Sequence, residues 1–164
     1  MPIDIDDDII IKSLDKFPKN IKIENEYFSQ KKLINIIITF NKIKVLEYLI
    51  KKKFLQIDII DVDGRTLLYN IIKYNYDKML KMIIDYDRKK IGISLSNVKD
   101  RNYNNSLIYC IIFNRFEMFK YLILNNFDPY HENKNKNNCF NIALKYNREK
   151  FLDYLFEKYE DFTF

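Results

Sequence analysis

Glycine is almost missing from this sequence: its 164 residues include only Gly64 and Gly92. A phosphate-cradling loop or a dinucleotide fingerprint needs several glycines at fixed spacing, and a tight-hairpin β protein needs them at its turns. These classes are therefore excluded. Histidine occurs once, at His131, and cysteine twice, at Cys110 and Cys139. Two cysteines cannot make a disulfide framework, no Cys-x-x-Cys pair exists, and a His-based zinc site lacks its second histidine. The thiols are expected to be reduced, in a cytoplasmic or nuclear compartment. Long apolar runs are also absent. The stretches at 9–11 and 36–38 are broken by Lys and Asn, far short of the ~20 residues that span a bilayer. The first eight residues are acidic, unlike a secretory or mitochondrial signal. Alanine appears only at Ala143, while Ile, Asn, Lys and Tyr are abundant. This bias fits an AT-rich genome, such as those of large DNA viruses, some protists and some parasitic bacteria.

What is present suits a folded domain. The chain is 48% apolar and 16% aromatic, enough to build a core and too apolar for general disorder. The net charge of +5 is modest and its acids are interspersed with its bases, which is weak support for nucleic-acid binding.

An aromatic residue followed by asparagine recurs at Phe40-Asn41, Tyr74-Asn75, Phe113-Asn114 and Tyr146-Asn147, with the asparagines 34, 39 and 33 residues apart. The surroundings recur as well. Apolar trios precede each asparagine at fixed offsets: Ile34, Ile37, Ile38; Leu68, Ile71, Ile72; Leu107, Cys110, Ile111; Phe140, Ala143, Leu144. Apolar quartets follow: Val45, Leu46, Leu49, Ile50; Met79, Leu80, Ile83, Ile84; Met118, Phe119, Leu122, Ile123; Phe151, Leu152, Leu155, Phe156. Steps of three and four place each set on one stripe of a helix. Each unit thus reads as two amphipathic helices joined at the asparagine, the residue that accepts a left-handed turn best after glycine. Such pairs close their core by stacking, and the end units need a more polar outer face. Residues 6–17 are expected to form an N-terminal cap. Asp6, Asp7 and Asp8 favour its start, Ile10, Ile11 and Leu14 pack on the first unit, and Pro18 ends it.

The run Asp61-Val-Asp-Gly-Arg-Thr-Leu-Leu-Tyr-Asn-Ile-Ile-Lys-Tyr-Asn75 resembles the ankyrin repeat pattern Asp-x-x-Gly-x-Thr-Pro-Leu-His-x-Ala-Ala-x-x-Gly, and residues 122–130 are similar to its Leu-Leu-x-x-Gly-Ala-Asp-Pro-Asn ending. The likeness covers about residues 27–159. The Thr-Pro-Leu-His signature is nowhere intact, and isoleucine mostly replaces its paired alanines. The resemblance implies an all-α, ankyrin-like helical-repeat solenoid of about four helix pairs with an N-terminal capping helix. The divisions are a cap at 1–26 and repeats at 27–60, 61–99, 100–132 and 133–164. The longer second interval, 85–101, is read as a surface excursion, with a binding loop as the alternative.

Catalytic candidates are few. His131 lies in an Asn/Lys-rich turn, Cys110 falls on a core stripe, and the Asp6–Asp8 cluster lacks calcium-loop spacing. No acid, base and oxyanion donor converge, so no enzyme and no cofactor is expected. The resemblance instead implies a protein-binding concave face. On it, Phe40, Tyr74, Phe113 and Tyr146 form one column, beside Thr39, Lys73, Ile112 and Lys145. The finger turns bring Val62, Asp63 and Arg65, then Arg101, Asn102 and Asn104, then Lys134, Asn135 and Asn137. These rings either anchor a partner or cover neighbouring helix ends within the chain. The expected function is a scaffold, adaptor or inhibitor that binds another protein, such as a host factor if the source is viral. The chain is expected to act as a monomer without a membrane. Nucleic-acid binding through lysines and exposed aromatics is the alternative reading.

Overall fold

The computed structural model describes residues 6–15, 34–53, 60–61, 63–89 and 95–159. The helices run in order as α1 (Asp7–Asp15), α2 (34–39), α3 (Ile43–Lys51), α4 (Leu67–Lys73), α5 (Asp77–Lys89), α6 (Ser106–Ile112), α7 (Phe116–Leu124), α8 (Cys139–Lys145) and α9 (Glu149–Tyr159). A 3₁₀ turn, Leu95–Asn97, precedes α6. The only β pairing among the described residues is a bridge between Ile60 and Thr66. The result is an all-α solenoid of stacked helix pairs. Inner helices α4, α6 and α8 pack in succession, and each packs on the outer helix of its own pair.

The asparagines stop the inner helices. Asn41, Asn75, Asn114 and Asn147 all have positive φ, between 51° and 61°. The residue after each donates its N–H to the carbonyl five positions back: Lys42 to Ile37, Tyr76 to Ile71, Arg115 to Cys110 and Arg148 to Ala143, at 2.7–3.0 Å. This satisfies a carbonyl that the helix end would leave bare. The outer helices use the same device at Lys53 (φ 58°) and Asn126 (φ 64°).

The predicted stripes form the core in the first three units, with Ile50 alone only partly buried. Ile37, Ile38, Leu46, Ile71, Ile72, Leu80, Ile111 and Phe119 are each at most 1% exposed. The fourth unit departs from the expectation. Leu144 is 61% exposed and Phe156 51%, and Phe140 and Leu152 are only partly buried. Among the described residues no helix follows α9 to bury these positions.

α1 covers α3 at the other end. Ile10, Ile11 and Leu14 pack against the core. Asp7 pairs with Lys42 at 3.2 Å, Asp15 pairs with Lys52 at 3.6 Å, and the Tyr48 hydroxyl donates to Asp15. Asp6 accepts the Asp8 N–H at 2.8 Å, so the acidic cluster serves the helix start. Pro18 lies outside the described residues.

The longer second interval resolves into an extended α5 of 13 residues and an anchored return. Leu95 and Val98 are buried, and the Asp87 carboxylate accepts the Leu95 N–H at 3.0 Å. Both sides of the excursion are therefore held on the body of the stack.

Candidate protein-binding face

Three finger turns share one construction. Asp61, Asp100 and Asn133 open them, and each side chain accepts the N–H four residues on, from Arg65 at 2.8 Å, Asn104 at 2.7 Å and Asn137 at 3.1 Å. The fourth residue of each turn, Gly64, Tyr103 or Lys136, takes positive φ. Only the first is the glycine that geometry favours. A side chain there would also collide with Arg101, whose Cδ lies 2.2 Å from the place of a Cβ.

Backbone bonds zip the fingers together. Arg101 N–H donates to the Gly64 carbonyl at 3.1 Å, and Lys134 N–H to that of Asn102 at 3.0 Å. His131 joins this seam, with Nε2 2.7 Å from the Tyr103 carbonyl oxygen, and Asn133 donates to Asn104 at 2.9 Å. The single histidine therefore works as a turn-to-turn link.

Behind the fingers, each inner helix starts at Thr66, Asn105 or Asn138. Asn105 is buried; it accepts the Ile108 N–H at 3.0 Å and donates to the Asp128 carbonyl at 3.0 Å. Asn138 forms a reciprocal capping box with Asn141. Thr66 makes no side-chain cap bond, and its buried hydroxyl has no partner.

The aromatic column is mostly open. Phe40 is 43% exposed, Tyr74 42% and Tyr146 40%. Phe113 is half-buried and meets Tyr69 edge-on at 5.5 Å, and Tyr69 in turn meets Tyr109 at 4.8 Å. So the row is interrupted in the third unit, where the ring covers its neighbours within the chain. Ile112 beside it is half-buried too, whereas Thr39, Lys73 and Lys145 are exposed. The Lys73 ammonium lies 5.6 Å from the Tyr74 ring centre.

On the fingers, Arg101, Asn102, Lys134 and Asn135 are exposed. Arg65 pairs with Asp63 at 3.0 Å and stacks over Tyr69 at 4.8 Å. Lys134 lies over Tyr103 at 5.5 Å. Val62 lies outside the described residues. The Tyr109 hydroxyl donates to Asp100, and burial together with that carboxylate holds the phenol well above the usual tyrosine range.

Sequence reading missed two residues that fix this face. Arg115 donates to the carbonyls of Ile72 at 3.1 Å and Lys73 at 2.8 Å, and Arg148 donates to that of Ile111 at 3.3 Å. Each clamps the end of the preceding inner helix, where a cation also suits the dipole. The repeated Asn-Arg at 114–115 and 147–148 was the available signal.

Cys110 and Cys139 are fully buried, and burial pushes both thiols up. They are inert packing groups rather than nucleophiles. On the outer side of the stack, an open groove of about 980 Å³ runs among Lys81, Arg115, Phe116, Lys120, Lys150 and Tyr154. Lys120 and Lys150 lie over the Phe116 ring at 5.1 and 4.4 Å. No helix among the described residues is long and apolar enough to cross a membrane.

The family model for ankyrin repeats (many copies) matches residues 107–156. An ankyrin repeat protein of Acanthamoeba polyphaga mimivirus is 30% identical over 130 residues, covering 79% of this chain. Both matches support an ankyrin repeat family for this chain. The match spans 16% of the viral protein's length. Ankyrin repeats are, in general, protein–protein interaction modules.

Proposed function

We propose that this chain is a non-enzymatic interaction module that holds a partner protein against its concave face. It acts by occupancy, as a scaffold, adaptor or inhibitor. One observation carries the reading: Phe40, Tyr74 and Tyr146 stay 40–43% exposed at the same place in three units. Each ring sits directly before an asparagine locked at positive φ. A ring held on a fixed turn loses little conformational freedom when it docks, and aromatic anchors dominate interface energy. Lys73 and Lys145 flank the column, and Arg101, Asn102 and Lys134 line the fingers above it. The viral source of the relative makes a host protein the first partner to seek.

The test compares pull-downs by wild type and by a Phe40→Ser/Tyr74→Ser/Tyr146→Ser variant, both first matched in helicity and melting. Phe113 is left intact because its ring supports Tyr69. Loss of the partner by a folded variant supports the reading, and retention of every partner by a folded variant refutes it. A nucleic-acid binder would instead be retained on nucleic acid and lose that retention steeply with salt. The expected result is no such retention.

A further inference from the structure

The open groove of about 980 Å³ on the outer helices α5, α7 and α9 is a surface that the concave-face reading does not use. None of its lining residues belongs to the aromatic column or to the fingers. It gathers charge of one sign: Lys81, Arg115, Lys120 and Lys150 line it against Asp77 and Glu117. Both acids are already engaged, Asp77 with Lys81 at 2.6 Å and Glu117 with Lys120 at 2.8 Å. Among the described residues, Arg115 and Lys150 have no carboxylate at ion-pair distance.

These two cations are held in position. The Arg115 guanidinium donates through Nε and Nη2 to the Ile72 and Lys73 carbonyls at 3.1 and 2.8 Å. Both acceptors are neutral, so the charge is fixed without being countered, and only two of a guanidinium's five N–H groups are spent. The Lys150 ammonium lies 4.4 Å from the centre of the Phe116 ring, a contact that orients the cation and leaves its charge in place. The groove is aromatic as well. Phe116 is half-buried and meets the Tyr154 ring edge-on at 5.8 Å.

We propose that this groove takes an acidic peptide segment of a partner protein, an extended stretch in which carboxylates flank an aliphatic or aromatic residue. Arg115 and Lys150 receive the carboxylates, and Phe116 and Tyr154 receive the apolar side chain. A cation fixed beforehand gives up little freedom on pairing, and its hydrogen bonds to a carboxylate are stronger than neutral ones. Two interaxial steps of about 8–10 Å separate α5 from α9, the length of about five or six extended residues at ~3.3 Å each.

The same charges select against a nucleic acid. Asp77 and Glu117 stand in the groove among the cations, and a polyphosphate, charged at every step, brings phosphates against them. A peptide can set its acids opposite Arg115 and Lys150 alone and place neutral residues beside Asp77 and Glu117. The two carboxylates thereby serve specificity, by repelling the wrong register and the wrong partner.

The test is fluorescence anisotropy on the full chain with three labelled probes: a short peptide with Glu on both sides of a central Leu-Phe pair, its counterpart with Lys for each Glu, and a single-stranded oligothymidylate. The acidic peptide should bind with a dissociation constant of about 10–100 µM, and the other two at least tenfold more weakly. Exchanging its Leu-Phe pair for Ser-Ser should weaken it at least fivefold. Lys150→Glu should weaken it at least tenfold with unchanged helicity, because the side chain is exposed and an acid suits the first turn of α9. Lys44→Glu, at an exposed lysine near the start of α3 and outside the groove, makes the same change in net charge and should bind like wild type. A wild type that does not bind the acidic peptide overturns the proposal, as does an oligothymidylate that binds as tightly. Equal affinities of Lys150→Glu and Lys44→Glu overturn it too, because they would reduce the attraction to net charge alone.

Discussion

The third and fourth units carry the same sequence pattern and meet opposite fates. α6–α7 and α8–α9 have apolar residues at matching offsets from Asn114 and Asn147. They share the positive φ at those asparagines and the arginine clamp that follows. Yet Ile111 is 0% exposed and its counterpart Leu144 61%, while Ile123 is 4% exposed and Phe156 51%. The pattern sets which residues share a face. The neighbour sets whether that face is buried, as expected of an array in which each unit contacts only the next.

The largest test of this contrast is a matched pair of truncations. Ile111→Ala should cost about 2–5 kcal/mol in denaturant unfolding, while Leu144→Ala should cost under about 1 kcal/mol in dilute protein. Equal losses would mean that the two faces are alike.

The caps come next. Asn105→Ala removes a buried cap and leaves the Asp128 carbonyl without its donor, for an expected loss of about 2 kcal/mol. Asn138→Ala, at a half-exposed position, should cost nearer 1 kcal/mol.

The turns should remove the contrast. Asn114→Val and Asn147→Val should each cost about 1–2 kcal/mol, because the penalty of a left-handed residue is local and independent of burial. A large difference between them would show that these asparagines do more than turn the chain.

The smallest effect is a gain. Lys136→Gly, at φ 59° and highly exposed, should stabilise by about 0.5–1 kcal/mol once the greater freedom of the unfolded glycine is offset. A lower melting temperature would show that the Glu132 pair at 3.4 Å outweighs the strain.

The helix pairs, their order and their asparagine turns were legible in the sequence because each unit repeats a backbone need and an apolar stripe. Periodicity could not tell Phe113 from Tyr146. They occupy one position, but Phe113 has the Tyr69 ring beside it and Tyr146 stands open. The open face of the fourth unit was hidden for the same reason, since Leu144 and Phe156 obey the core pattern. Nor did composition mark Tyr103 and Lys136 as left-handed. A glycine at such a place announces the turn, whereas a bulky residue there conceals it. The family resemblance implied a concave face carrying the aromatic column, but which of its rings are free depends on contacts between units.

Native-state amide exchange on the full chain in dilute solution tests the contrast most directly. If burial follows the neighbour, α4, α6 and α7 exchange slowest, and α9 exchanges markedly faster. If α9 is as protected as α7, the face carrying Leu144 and Phe156 is already covered within the chain, and the account of an open, apolar face on the fourth unit is wrong.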